Sequence, residues 1–410
     1  MGYTILYSTF NSLLLIFYIR RYKSLDAGFI ILAYYTFISF IAILAYNSLQ
    51  TDFFFSQFNF TNVTLFPYLF LFTIVVMFIS PTFGLTKQIA HKQITYNKTI
   101  LIKLAYLYII FALISIYIYY NLVANYWMSN DWANVRLDQY SGEAEVAYNN
   151  IFERLFLSFT HYFRLPALVI FFILLTDGEK KKNILFFILF FISLIFPSAG
   201  DAMRTASRGM ILSIVLEFIV CYAIFQPKIP KQYKRVIYIV VIGSVSFLLL
   251  YTLLVTQSRF GDGDFLKSTL ICYFGQPPIV FNSSIASIYD FYYGANFFFP
   301  FLKHLGFSPN LSPSAVGGDW GPTFYTFVGT LYMDFTPLGV IILAIIVPLF
   351  VKKFIDRRSY TVADLYLIIF YCSYLLKGAL VIGRGFSYQI LVVILTYHIL
   401  KFITIKKIKI

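Results

Sequence analysis

Between Pro197 and Gly209 the chain reads PSAGDAMRTASRG, which sets Arg204 and Arg208 four residues apart where an apolar stretch begins. If Thr205 or Ser207 opens a helix there, both guanidinium groups project from its first turn beside the unpaired N–H groups of the helix start, a combination suited to anions. Guanidinium forks hold phosphate through paired donors, so the chemistry this spacing suggests is a grip on phosphate. Proton transfer needs a base, and the four histidines, His91, His161, His304 and His398, are dispersed. Only His304 falls in a connection that the topology below places outside. Asp319 lies in the constrained turn Gly317-Gly318-Asp319-Trp320-Gly321-Pro322. Either His304 or Asp319 could accept a proton from an attacking hydroxyl. No metal-ligand spacing and no nucleophile triad stands out, and Cys221, Cys272 and Cys372 are too scattered for a disulfide framework. No metal, cofactor or redox role is expected.

Apolar helices must carry these residues. Of the 410 residues, 60% are hydrophobic and 12% charged, about half the charge of a soluble domain. The composition predicts an all-α, polytopic integral membrane protein with all 410 residues in a single transmembrane domain. The net charge of +14 does not point to nucleic acid. Twenty-two basic residues and five acids fall in the segments assigned to the cytoplasm, while ten basic residues and thirteen acids fall elsewhere, so the surplus is a topology signal.

Eleven spans of roughly membrane-crossing length are expected. They are Tyr3 to Ile19, Ala27 to Tyr46, Leu65 to Leu85, Ile100 to Tyr120, Leu155 to Thr176, Ile184 to Ala199, Arg208 to Phe225, Val236 to Thr256, Phe324 to Val351, Ala363 to Ile382 and Phe386 to Phe402. Alternate connections carry Arg20/Arg21/Lys23, Lys87/Lys92/Lys98, Lys180 to Lys182, Lys228/Lys231/Lys234/Arg235, Lys352/Lys353/Arg357/Arg358 and Lys401/Lys406/Lys407/Lys409, all on one side. The first span, followed rather than preceded by basic residues, reads as an N-out helix and not a signal peptide. The opposite face receives two long connections, 121–154 and 257–323. The second is rich in Gly and Pro between apolar runs and is expected to form an ordered cap with short helices.

Ten basic residues lie outside the cytoplasmic connections, and seven are arginines: Arg136, Arg154, Arg164, Arg204, Arg208, Arg259 and Arg384. Arginine at membrane depth is costly enough to mark function by default. In the fifth span Arg154, Ser158, His161 and Arg164 recur at helical spacing, a polar stripe that must face protein or water. Arg164 and Glu217 both lie near mid-depth, and a buried pair between them is expected, most simply as a clamp on the bundle. Trp127, Trp132, Tyr292, Tyr293 and Trp320 are placed either to stack on sugars or to form an interfacial belt.

Ser207-Arg208-Gly209 at the outer start of a span, Gln257-Ser258-Arg259 opening a large outer loop, and Gly317-Gly318 followed by the stretch from Phe327 to Gly339 resemble the Wzy-type O-antigen polymerases. The resemblance implies a GT-C-like glycosyltransferase of the bacterial inner membrane, with its active site facing the periplasm. Such an enzyme polymerises undecaprenyl-diphosphate-linked oligosaccharide repeat units, without nucleotide sugar and without metal. It implies lipid diphosphate on Arg204, Arg208, Arg259, Arg384 and Arg164, sugars near Tyr292, Tyr293 and Trp320, and His304 or Asp319 at the acceptor. A chain-length-determinant (Wzz-type) membrane protein is the implied protein partner, beside the lipid bilayer. A flippase or exporter of lipid-linked oligosaccharide and an O-antigen ligase are the competing readings. The first should scatter polar residues through the bundle, whereas here they collect on the outer side.

Reporter fusions after Lys182 and after Tyr140 are expected to report opposite sides of the membrane, with the cytoplasmic signal after Lys182; identical compartments would refute the topology.

Overall fold

The computed structural model describes residues 1–49, 63–129, 151–177, 184–205, 207–231, 273–307, 325–380 and 386–405, with scattered positions between 233 and 271. Its helices are α1 (Gly2–Tyr22), α2 (Ala27–Leu49), α3 (Leu65–Ile79), α4 (Leu85–Ala90), α5 (Lys98–Ser129), α6 (Ile151–Thr176), α7 (Ile184–Arg204), α8 (Arg208–Phe225), α9 (Gln276–Ser283), α10 (Phe299–His304), α11 (Thr326–Ile355), α12 (Val362–Gly378) and α13 (Phe386–Ile405). Among the described residues eight helices are long and apolar enough to cross a membrane, and the protein is a multi-pass membrane protein. These eight coincide with eight of the eleven expected spans. The others correspond to the shorter α8 and α12 and to a segment around 236–256 that is described only at scattered positions.

One feature departs from the sequence reading. A two-stranded parallel ribbon, β1 (Gln93–Thr95) with β2 (Ser359–Thr361), is added to the helices. Three residues are too few to register as a strand by alternation, and the partner is far away in sequence. The chain divides into two compact units: unit 1 is Met1–Gln88, Asp264–Arg357 and Tyr371–Leu395, and unit 2 is Ile89–Gly263, Arg358–Phe370 and Thr396–Ile410.

Within each unit the basic connections gather at one end. In unit 1 the turn after α1 is tied to the segment before α4: Tyr18 donates to Asp26 Oδ1 at 2.5 Å, the Gly84 N–H donates to the Tyr18 hydroxyl at 3.1 Å, and Lys87 Nζ donates to the Tyr22 carbonyl. In unit 2 the ribbon joins the connection holding Lys92 to the one holding Arg358, and Lys92 Nζ reaches the Tyr360 hydroxyl at 3.1 Å. Lys228 Nζ donates to the Lys92 carbonyl at 2.5 Å, and Lys98 pairs with Asp177 at 3.0 Å. Connections assigned to one side by charge alone are therefore in contact, within each unit.

Helix α5 runs on to Ser129 and α6 begins at Ile151, so both ends of the 121–154 segment are helical. Part of the expected cap is ordered as α9, a turn of 3-10 helix at Ile285–Ser287, and α10. It is fastened to a break in α11. Thr336 has φ 65° and ψ 165°, and Pro337 follows it. A residue before proline is driven to extended ψ, and proline has no N–H for the carbonyl four residues back. That carbonyl is Met333's, and the break frees Asp334's as well. The Tyr292 N–H takes the Met333 carbonyl at 2.8 Å and the Gly294 N–H takes the Asp334 carbonyl at 2.8 Å. The fully buried Asp334 carboxylate completes the clasp, accepting from the Asn296 N–H at 3.1 Å, from Asn296 Nδ2 at 3.2 Å and from the Phe297 backbone.

Replacing Asp334 by Ala strands those donors, each at about 1–3 kcal/mol. The expected result is a lower thermal unfolding midpoint in detergent and faster proteolysis across Ile288 to Phe298, with a smaller effect in Asp334→Asn. An unchanged midpoint in the Ala variant would show that the clasp is not stabilising.

Candidate functional site

Helices α5 to α8 of unit 2 bring polar side chains into an apolar bundle. Their directions follow from the contacts at their ends. Helix α6 finishes beside Asp177, which pairs with Lys98 at the start of α5, and α8 finishes shortly before Lys228. The Arg204 end of α7 and the Arg208 start of α8 therefore lie at the end of unit 2 away from Lys98 and Lys228, as does the first turn of α6 with the exposed Arg154. The helices approach closely where the site is built. A Cβ on Gly200 would sit 2.6 Å from Tyr119 Cβ, so only glycine lets α7 lie this near α5. Across the α5–α6 contact, Thr160 Oγ1 lies 3.2 Å from Ser115 Oγ, and the Tyr108 hydroxyl donates to the Thr160 carbonyl at 3.3 Å.

Two rungs link α6 to α7, one turn apart. In the inner rung Arg164 Nη1 donates to Ser198 Oγ at 2.9 Å, while Nη2 donates to Glu217 Oε2 of α8 at 2.7 Å. The Glu217 side chain is 4% exposed and that of Arg164 12%. Arg164 lies about 20 Å along α6 from Asp177 at 1.5 Å per residue, which is bilayer depth. The expected Arg164–Glu217 pair is present. Two of the guanidinium nitrogens are thereby engaged, and Arg164 Nε, fully enclosed, meets no protein acceptor among the described residues. In the outer rung His161 Nδ1 faces Asp201 Oδ2 at 3.8 Å, and the other oxygen, Oδ1, accepts from Arg204 Nε at 3.2 Å and Nη2 at 2.8 Å.

Arg204 does not share a helix with Arg208. Helix α7 continues five residues past the expected end at Ala199, because Arg204 pairs with Asp201 one turn back and a cation is favourable where the helix dipole ends. The chain then turns sharply, with the Ser207 N–H on the Ala202 carbonyl at 2.8 Å, and α8 opens at Arg208 with Ser207 as its N-cap. Ser207 makes no side-chain cap hydrogen bond and Thr205 Oγ1 bonds back to the Asp201 carbonyl at 2.8 Å. The two arginines flank a helix-to-helix turn, one at a C-terminus and one at an N-terminus.

The remaining candidates fall elsewhere. Tyr292, Tyr293 and His304 belong to unit 1: Tyr293 is 80% exposed with φ 47°, Tyr292 is held by its backbone in the clasp, and His304 ends α10 with its side chain exposed. Arg259, Arg384, Asp319 and Trp320 lie outside the described residues. The chain matches no family model, no curated protein and no solved structure. The arrangement within unit 2 therefore carries the functional argument. Its key member, Asp201, went unremarked in the sequence; the available signal was Asp201-x-x-Arg204, an i,i+3 ion pair at the edge of an apolar span.

Breaking one side of the inner rung leaves a charge buried alone, at a cost of about 3–5 kcal/mol, whereas replacing both partners by apolar groups is far milder. Thermal unfolding in detergent is expected to place Glu217→Leu well below Arg164→Met/Glu217→Leu. Equal losses for the single and double variants would contradict a direct pair.

Proposed function

We propose that the chain is a periplasmic-side glycosyltransferase that polymerises undecaprenyl-diphosphate-linked oligosaccharide repeat units into O-antigen or a similar surface polysaccharide. The observation that carries this reading is the charge distribution among the described residues of unit 2: Lys92, Lys98 and Lys228, with Arg358, lie at one end, while Arg154, Arg204 and Arg208 are carried at the other. An arginine-bearing helix start at headgroup level is chemistry for a lipid-borne phosphate rather than for lipid orientation, which lysine serves equally well. The resemblance of Ser207-Arg208-Gly209, Gln257-Ser258-Arg259 and the Phe327 to Gly339 stretch to Wzy-type polymerases supplies the substrate class.

The mechanism follows from the leaving group. A diphosphate departs readily, so the protein need only hold it, offset the charge that grows on it and orient the acceptor hydroxyl. Of the five arginines considered for the diphosphate, Arg164 is engaged by Glu217 and Ser198 and serves the scaffold. Arg204 is shared with Asp201, which sets its fork at the helix end. Arg208, the first residue of α8, takes the principal part, its side chain lying outside the described residues, and Arg259 and Arg384 remain candidates from the outer connections.

The test is extension of undecaprenyl-diphosphate-linked repeat units by purified protein in detergent. Arg208→Ala and Arg208→Lys are both expected to lose about a hundredfold in rate, equivalent to ~3 kcal/mol, because lysine keeps the charge and loses the fork. Activity is expected to survive chelator. Full activity in Arg208→Ala at matched protein levels would remove the anion site, and loss of activity with chelator would assign the phosphate charge to a metal.

A further inference from the structure

We propose that His161 is the catalytic base of the transfer, with Asp201 as its positioning residue; the inference rests on the transferase reading above. Sequence position argues for His304 or Asp319, since His161 lies within an apolar span. The structure sets His161 in the same unit as Arg204 and Arg208, one turn from Arg164 and level with Asp201, three residues short of the Arg204 end of α7. Half of its side chain is exposed. A histidine on a membrane helix is costly unless it faces water or a polar ligand.

Asp201 supplies what a base needs behind it. One carboxylate oxygen is fixed by the Arg204 fork, at 2.8 and 3.2 Å, and the other faces His161 Nδ1 at 3.8 Å. A carboxylate on the Nδ1 side holds the ring orientation and favours the imidazolium that forms when Nε2 takes a proton. The 3.8 Å separation is longer than a hydrogen bond, and such contacts commonly tighten when substrate closes the site. A purely structural ion pair does not require His161, because Arg204 already neutralises Asp201.

The step balances without a further reactant. The acceptor hydroxyl oxygen bonds to the anomeric carbon of the donor sugar as the bond from that carbon to the diphosphate oxygen breaks. The electron pair leaves with undecaprenyl diphosphate, held at the arginine end, and the hydroxyl proton passes to His161 Nε2 and then to water.

The experiment uses the full-length protein in detergent and undecaprenyl-diphosphate-linked repeat units, with binding of undecaprenyl diphosphate itself measured separately. His161→Ala and His161→Gln are expected to lose about a hundredfold in kcat, with KM and undecaprenyl diphosphate binding unchanged within about twofold. Exogenous imidazole is expected to restore part of the rate in His161→Gly. Asp201→Asn should lower kcat more than it changes KM, with partial recovery in Asp201→Glu, a pattern that loss of packing alone does not give. His91→Ala and His398→Ala serve as controls at wild-type rate. Wild-type kcat in His161→Ala overturns the inference and leaves the transferase reading standing. Loss of rate together with loss of diphosphate binding, absence of imidazole rescue, or failure of both the Ala and Gln variants to fold assigns His161 to structure and also overturns it. An inactive wild type refutes the transferase reading, and this inference with it.

Discussion

The cost of an unpaired charge at bilayer depth governs unit 2. The guanidinium of Arg164 is set among the apolar faces of α6, α7 and α8, and Glu217, 4% exposed, meets it there, so that removing either partner leaves the other's charge buried alone. That mutual requirement fixes how three helices sit together, because a 2.7 Å contact between long side chains tolerates little sliding. Once α6 and α7 are in that register, residues one turn further out face each other too. Ser198 opposite Arg164 places Asp201 opposite His161, and Arg204 follows at the helix end. The inner rung is thus a scaffold from which the outer one inherits its geometry. Gly200 permits the approach, since any side chain there would collide with Tyr119.

Unit 1 solves a related problem in backbone terms. A carbonyl freed inside a membrane helix must find another donor, and Pro337 frees Met333's by lacking an N–H. The segment from Tyr292 to Phe297 supplies donors, and the buried Asp334 carboxylate gathers three of them. The break in α11 is therefore a docking site for the outer connection. It carries two costs, φ 65° at Thr336 and φ 47° at Tyr293, each on a residue with a side chain.

What was legible in the sequence depended on whether the deciding forces were local. Hydropathy located eight of the expected spans, because twenty apolar residues need no distant partner to enter a bilayer, and basic residues such as Lys87, Lys92 and Lys228 marked connections that meet within their units. The Arg164–Glu217 pair was legible because two mid-depth charges of opposite sign have few other recourses. The helix owning Arg204 was not legible: Asp201, one turn back, and the turn to Ser207 decide it. Nor was the His161–Asp201 contact, which depends on the register between two helices. Pro337 announced a lost hydrogen bond, but which donor replaced it lay forty residues away, at Tyr292. The β1–β2 ribbon is an extreme case, three residues pairing with three others across most of the chain.

That ribbon has a consequence for biosynthesis. Gln93–Thr95 cannot pair until Ser359–Thr361 has left the ribosome, which at 5–20 residues per second means a wait of some tens of seconds. Unit 1 is discontinuous in the same way: Tyr35 waits for the Leu375 carbonyl, and the Phe78 carbonyl waits for Tyr371. The first three helices must therefore reside in the bilayer as a provisional assembly, held by contacts such as Tyr7 stacked on Tyr68 and Thr4 bonded to the Tyr68 hydroxyl, until the last third of the chain arrives. Truncation from the C-terminal side would strand both units unfinished, and an insertase or chaperone that shields half-built bundles would act on this chain longer than on one whose helices pair in the order they are made.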